Sequence, residues 1–242
     1  MTRLRTFAAL AMVCASGLAF AAEIEPIPKV RYPMLAKRAS AVEGFVPAGW
    51  SLEARAEGDL DGDGVPDVAF VLHGKDPALV VKNDGLGADE LDTNPRILAV
   101  ALRRGDRFEL AAQNKTLIPR LEDPVMDDPF EGDALEIKRG TLRVSLRLFM
   151  SAGGWTTFRS TFTFRLDEGR KLNLVGFDKS TFERNTGEGK TVSANLLIGR
   201  ARIETERDGR APPAVRWRSV PKRALPIEAL GNGLDFNLDP EG

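Results

Sequence analysis

Two residue types that catalytic and redox sites depend on are almost missing from this chain. Its 242 residues include one cysteine, Cys14, and one histidine, His73. Cys14 falls inside an N-terminal stretch that reads as an export signal. The mature chain would then hold no disulfide, no thiolate nucleophile and no cysteine metal ligand. A Cys–His pair is thereby excluded. A Ser–His–Asp triad would have to use His73, yet no Gly-x-Ser-x-Gly turn presents a nucleophile. The chain also lacks an excess of charge of either sign, with 34 basic residues against 35 acidic ones and a net charge of −1. That balance gives no electrostatic case for nucleic acid or for an anionic membrane.

Long apolar runs are absent too, except near the N-terminus. Arg3 and Arg5 form a basic start, Phe7 to Leu18 an apolar run, and Ala19-Phe20-Ala21 a small-residue cleavage pattern. The run is shorter than the roughly 20 residues of a membrane span. We therefore expect residues 1–21 to be a signal peptide cut after Ala21, with the product periplasmic or secreted. A lipid anchor on Cys14 is disfavoured, because Val13 stands where Gly, Ala or Ser is expected. Loss of Arg3 and Arg5 takes the 34 basic residues to 32 against 35 acidic ones, a mature charge of −3.

What is present is mostly β pattern. Pro26 and Pro28 punctuate an extended lead-in. Met34 to Val42 predicts one short helix with Met34, Leu35 and Val42 on its buried side, ended by Gly44 and Pro47. Trp50 to Ala56 alternates apolar and polar, the period of a half-buried strand, and Val68 to Leu72 is a continuous apolar run expected to be a buried strand. A polar loop is expected over residues 75–94. Ile97–Leu102 and Phe108–Ala112 should form a hairpin, and an irregular acidic stretch covers residues 115–130. Strands are then predicted at 134–138, 142–149, 158–166, 172–178, 191–198 and 200–206, joined by short turns. No long amphipathic helices alternate with them, so a parallel α/β sheet is not expected. The fold class expected is mainly β, antiparallel sheets in a sandwich or partly closed barrel. It comprises one domain over 22–206, with residues 207–242 as a Pro-rich extended tail packed on it.

The most informative stretch is Asp59-Leu60-Asp61-Gly62-Asp63-Gly64-Val65-Pro66-Asp67. Carboxylates this close repel one another unless a cation lies between them, and calcium takes six to eight oxygen ligands from carboxylates and carbonyls. With Asp59 as position 1, Asp61, Asp63, Val65 and Asp67 stand at 3, 5, 7 and 9, and Gly64 stands at the sharp turn at 6. These are the first nine positions of an EF-hand loop. Position 12 is Phe70 where a bidentate Glu is needed, and the flanks read as strands, so this is not an EF-hand.

Asp-x-Asp-x-Asp-Gly-x-x-Asp running into an apolar strand resembles the calcium loops of FG-GAP and VCBS-type repeats, the blades of integrin-like β-propellers. The resemblance implies side-chain ligation by Asp59, Asp61, Asp63 and Asp67 and carbonyl ligation by Val65. It points to calcium as the ion, and a flexible loop of many oxygens suits calcium better than magnesium; a loop clamping two strands is expected to hold its ion in a structural role. The loop occurs once and the chain is short for a whole propeller. It looks more like exported bacterial proteins that carry a single such loop in a β-rich domain.

Other motifs are weaker. Arg104-Gly105-Asp106 spells an integrin-recognition tripeptide, explained by turn-forming residues in a hairpin. Gly187 to Thr191 resembles the end of a phosphate-binding P-loop, but Arg184 stands where its first Gly belongs and a strand follows. His73 is read as a strand-end residue, with an outer role at the cation loop as the alternative. Phe158, Phe162 and Phe164 next to Trp155 are read as the core face of a sheet, with a sugar- or lipid-binding face as the alternative. Two functions stay open: a calcium-stabilised binding or envelope module, monomeric, with a protein or glycan partner; or a secreted carbohydrate or phosphoester hydrolase using carboxylates of the acidic loops 75–94 and 121–133.

Overall fold

A computed structural model describes residues 27–131, 134–207 and 212–238. The expected signal segment, its cleavage site and Cys14 lie outside the described residues. In chain order the strands are β1 (Arg38–Ala39), β2 (Trp50–Gly58), β3 (Asp67–Gly74), β4 (Val80–Lys82), β5 (Glu90–Asp92), β6 (Arg96–Arg104) and β7 (Arg107–Asn114). They continue with β8 (Leu135–Lys138), β9 (Thr141–Leu148), β10 (Thr156–Leu166), β11 (Leu172–Glu183), β12 (Gly189–Asn195), β13 (Arg200–Glu206), β14 (Ala214–Ser219) and β15 (Leu225–Pro226). The first sheet runs β1-β7-β6-β3-β2 and the second β14-β13-β12-β11-β10-β9-β8, with β15 added beside β11 and β4-β5 a small separate hairpin. Every pairing is antiparallel, and neither sheet closes into a barrel.

The apolar run that follows the acidic loop is the hub. All of β3 is buried, because each of its faces meets a different partner. Ala69 and Val71 join Leu98, Val100 and Leu102 of β6 in the main core, where Val144, Phe162, Phe164 and Phe177 of the second sheet meet them. Val68, Phe70 and Leu72 face the opposite way and pack with Ile97 under the N-terminal segment, against Leu35, Val42 and Phe45. The rings of Phe45 and Phe70 stack 5.4 Å apart. Burial on both faces removes the need for alternation, which is why this strand reads as an unbroken run. Where β2 ends the sheets come so close that a Cβ on Gly58 would lie 2.6 Å from Ile137 Cγ2 of β8.

Among the described residues, no helix of seven or more residues forms. Across residues 34–42 the chain instead makes β1, whose residues pair with Phe108 and Glu109 of β7, and then a 3-10 turn at Val42–Phe45. Docking on a sheet edge satisfies backbone groups that a free helix would have bonded internally, and Leu110 N–H donates to Lys37 C=O at 2.9 Å. Leu35 and Val42 are buried as expected, but Met34 is 91% exposed.

At the other end the second sheet continues beyond residue 206 through β14. The chain then returns to β15 and a 3-10 turn at Ile227–Ala229. Ile227 and Leu230 are buried in the main core, with Leu234, Phe236 and Leu238 packed against it.

Candidate functional site

The acidic loop joins β2 to β3, and its local hydrogen bonds explain its shape. Asp59 accepts from Gly62 N–H on one carboxylate oxygen (2.7 Å) and from Gly64 N–H on the other (3.0 Å). Asp63 Oδ1 accepts from Val65 N–H at 2.8 Å. Gly62 and Gly64 adopt φ of +82° and +83°, the left-handed region where a side chain is disfavoured. The loop is thereby wound around its own carboxylates.

Asp67 closes it from within the fold. Its side chain is fully buried, and it accepts from Leu60 N–H and Arg103 N–H, both at 2.9 Å. It therefore ties the loop to the end of β6. Burial raises the Asp67 carboxyl above the usual carboxylate range, and repulsion from Asp61 and Asp63 adds to the rise against the two backbone hydrogen bonds.

Oxygens of Asp59, Asp61 and Asp67 converge to within 4.8 Å of one another. This is close to twice the ~2.3–2.6 Å that separates calcium from an oxygen ligand, so the three carboxylates fit a divalent cation between them. Of the expected ligands, Asp63 lies outside this triad, and its carboxylate turns to Val65 N–H and toward Arg104. Val65 is 42% exposed, and it is its backbone N–H that is engaged in the loop, through Asp63.

Arg104, at the end of β6, is the residue that sequence reasoning missed. Its Nη2 donates to Asp61 Oδ2 at 2.6 Å, its Nη1 lies 3.5 Å from Asp63 Oδ2, and Nη1 also donates to Arg103 C=O. One guanidinium thus faces two of the loop's carboxylates, Asp61 and Asp63. The signal lay in the pairing of β3 with β6: Val68 stands opposite Ala101, which carries the end of β6 past the acidic loop. The same contacts account for Arg104-Gly105-Asp106, because Arg104 folds back on the loop while Asp106 pairs with Arg107.

A second polar cluster lies near the opposite end of β3. Arg96 is 3% exposed. It donates to both oxygens of Glu53 at 2.7 and 2.8 Å and to Asp128 at 2.5 Å. Despite burial, these carboxylates raise its basicity further. His73 stands beside it, with Nδ1 3.6 Å from Glu53 and Nε2 3.9 Å from Asp92. Burial first, and then the Arg96 charge, lower the His73 pKa. His73 is on β3 but at the end remote from Asp67, so it has no part in the acidic loop.

Several carboxylates of the acidic loops serve their own turns, while Asp84, Asp89 and Glu90 line a shallow open pocket. Asp76 accepts from Ala78 N–H, Asp92 from Asn94, and Asp123 from Val125 N–H. Asp128 accepts from Phe130 N–H as well as from Arg96. Among the described residues, Asp59, Asp61 and Asp67 form the acidic group compact enough to hold a metal. The aromatic strand is core: Phe162 and Phe164 have no exposed surface and Phe158 is buried, while Trp155 is exposed. Residues Gly189–Asn195, after the P-loop-like stretch, form a strand.

Compared with protein-family models, with curated proteins and with solved structures, the chain matches none.

Proposed function

We propose that this is an exported calcium-binding β-protein that acts by binding, as an envelope or partner-recognition module, with a structural calcium ion held by the β2–β3 loop. The observation that carries this reading is the convergence of Asp59, Asp61 and Asp67 within 4.8 Å, at the point where β2, β3 and β6 are joined through Asp67. The loop's resemblance to FG-GAP and VCBS-type calcium loops supports calcium over magnesium. A flexible loop offering many oxygens also suits the larger ion. The signal-like N-terminus supports a periplasmic or secreted location, where calcium is available at the ~10⁻⁴ to 10⁻³ M that extracellular modules of modest affinity require.

Asp59, Asp61 and Asp67 would supply carboxylate oxygens, with Asp63 and the Val65 carbonyl completing the set that the resemblance implies. The ion supplies positive charge and fixes the turn between two strands. Arg104 sets the resting charge of the loop and would exchange its hold on Asp61 when a cation enters. A binding role is favoured over hydrolysis because Asp76 and Asp123 cap turns and Asp128 holds Arg96, which takes three carboxylates of the acidic loops out of any catalytic pair. Asp84, Asp89 and Glu90 line one open pocket and Glu122 and Asp123 another, and these, Asp123 apart, are the carboxylates on which the hydrolase alternative would depend.

Calorimetric titration of the mature protein with calcium and with magnesium tests the reading. Calcium should bind more tightly than magnesium and raise the melting temperature. Asp61→Ala should abolish the calcium heat, and Asp63→Ala should weaken it less, because Asp63 lies outside the triad. Unchanged heats in Asp61→Ala would sink the assignment.

A further inference from the structure

A cavity of about 470 Å³ opens at the end of β3 remote from the acidic loop. It lies where Trp50, the first residue of β2, pairs with Gly74, the last of β3. Its walls are fixed by bonds within the fold. Asn94 is 2% exposed; it accepts from Asp76 N–H at 2.9 Å and donates to Asp76 C=O at 3.1 Å. Lys75 N–H donates to Gly49 C=O at 2.8 Å, and Gly74 N–H to Pro95 C=O at 2.9 Å. The cavity therefore needs no ligand to hold its shape, which lowers the cost of binding one.

Charge on the walls is one-sided. Lys29, Arg31 and Lys75 line the cavity against a single carboxylate, Asp76, and Asp76 Oδ1 is taken by Ala78 N–H at 2.9 Å. Lys75 is shared: its Nζ lies 3.5 Å from His73 Nδ1, and its charge also reaches Asp92. Lys29 and Arg31 are exposed, and among the described residues neither stands within ion-pair distance of a carboxylate. Their backbone is pinned on both sides. Arg120 Nη1 donates to Pro28 C=O at 3.2 Å before them, and Tyr32 Oη donates to Lys115 C=O at 2.9 Å after them.

Trp50, Leu79 and Pro95 supply an apolar wall beside these cations. Trp50 packs against the core under the N-terminal segment, and Leu79 is 6% exposed, so this wall is fixed as well.

We propose that the cavity binds a small organic anion, with a carboxylate or phosphate head between Lys29 and Arg31 and a flat apolar body against Trp50. The planar fork of Arg31 suits either head. The volume falls within the ~300–1,000 Å³ of small-molecule sites, which combine an apolar lining with a few placed polar groups. An inorganic anion would leave the apolar wall uncovered, and a neutral ring would leave both cations unpaired.

The test uses the whole mature chain, labelled with ¹⁵N and held in excess chelator, so that its result does not depend on the calcium loop. Phenyl phosphate and phenylacetate are titrated in, with inorganic phosphate and benzyl alcohol as controls. At least one of the two ring anions should bind, the tighter identifying the head. Inorganic phosphate, lacking the apolar body, and benzyl alcohol, lacking the charge, should each bind at least about tenfold more weakly. Of the three tryptophans, Trp50 should show the shifted indole N–H signal, with Trp155 and Trp217 unmoved. Lys29→Glu with Arg31→Glu should weaken binding by about tenfold or more at an unchanged melting temperature, since both side chains are exposed.

Failure of both ring anions to bind would overturn the proposal. Equal binding of inorganic phosphate would show recognition of charge alone, and equal binding of benzyl alcohol recognition of the ring alone; either overturns it. So would binding that leaves the Trp50 signal in place or that survives the double replacement undiminished.

Discussion

Asp67 and Asp61 belong to one loop but are held for different reasons. Asp67 is buried and receives two backbone N–H groups, so it is part of the fold whether or not an ion is present. Removing it strands two donors, each costing about 1–3 kcal/mol. Asp67→Ala should therefore lower stability by roughly 2–6 kcal/mol in urea unfolding with excess chelator. Asp61→Ala should change chelated stability little, because its exchanged partner is the guanidinium of Arg104. A stability loss for Asp67→Ala that appears only with calcium would show that ligation, and not the hydrogen bonds, is its main role.

At the same scale, His73 gives the molecule a pH dependence whose sign follows from its surroundings. Its pKa in the fold lies below the unfolded value, so the unfolded chain binds the extra proton. Its contribution is complete above the unfolded pKa of ~6.5 and is lost as the pH falls below it. Melting temperature should fall as pH drops from about 7 toward 5, and His73→Gln should flatten that slope. A slope that persists unchanged in the variant would assign it to the carboxylates.

Among the elements, β3 shows what a sequence makes legible. Its unbroken apolar run identifies a buried strand, and the strands from β6 to β13 follow from alternation and turn residues. The acidic loop is legible because its neighbours in space are its neighbours in sequence. Arg104 is not: it reaches Asp61 across 43 positions, a proximity set by pairing between β3 and β6. The missing helix has a similar cause. Residues 34–42 carry adequate local helix signals, but an open edge on β7 was available to them, and tertiary pairing overrode local preference. The β4–β5 hairpin also escapes notice inside a polar loop, since three-residue strands carry too little alternation to read.

Arg96 belongs at this scale because it joins three elements: β6 through its own backbone, β2 through Glu53, and the 115–130 segment through Asp128. Arg96→Leu would leave both carboxylates without their cation. The expected loss is about 3–5 kcal/mol in chemical unfolding, the magnitude for removing one partner of a buried ion pair. Double replacement of Arg96 with Leu and Glu53 with Gln should cost less than the sum of the single changes, since it removes part of the unpaired charge.

For the whole molecule, the two sheets are completed by the C-terminal segment. Phe236 meets Phe162 and Phe177 edge-on at 5.4 and 4.9 Å. Asn114 at the end of β7 donates to Ile227 C=O and Leu230 C=O at 2.6 and 2.9 Å. A Cβ on Gly233 would lie 2.4 Å from Leu146 Cδ1 and 2.6 Å from Leu117 C=O. Phe236→Ala should therefore cost roughly 3 kcal/mol in urea unfolding, the low end for a packed aromatic because Phe236 is only partly buried. Gly233→Val should cost at least 1–3 kcal/mol, about the range for overpacking, and a melting temperature unchanged by either variant would show that this segment merely rests on the sheets.

That segment also sets the order in which the molecule is finished. Ribosomal synthesis delivers β3 early, but one side of its core remains open until Ile227, Leu230 and Phe236 have been made. A core built this way keeps apolar surface uncovered through most of its synthesis, the interval in which such surface is most open to wrong partners.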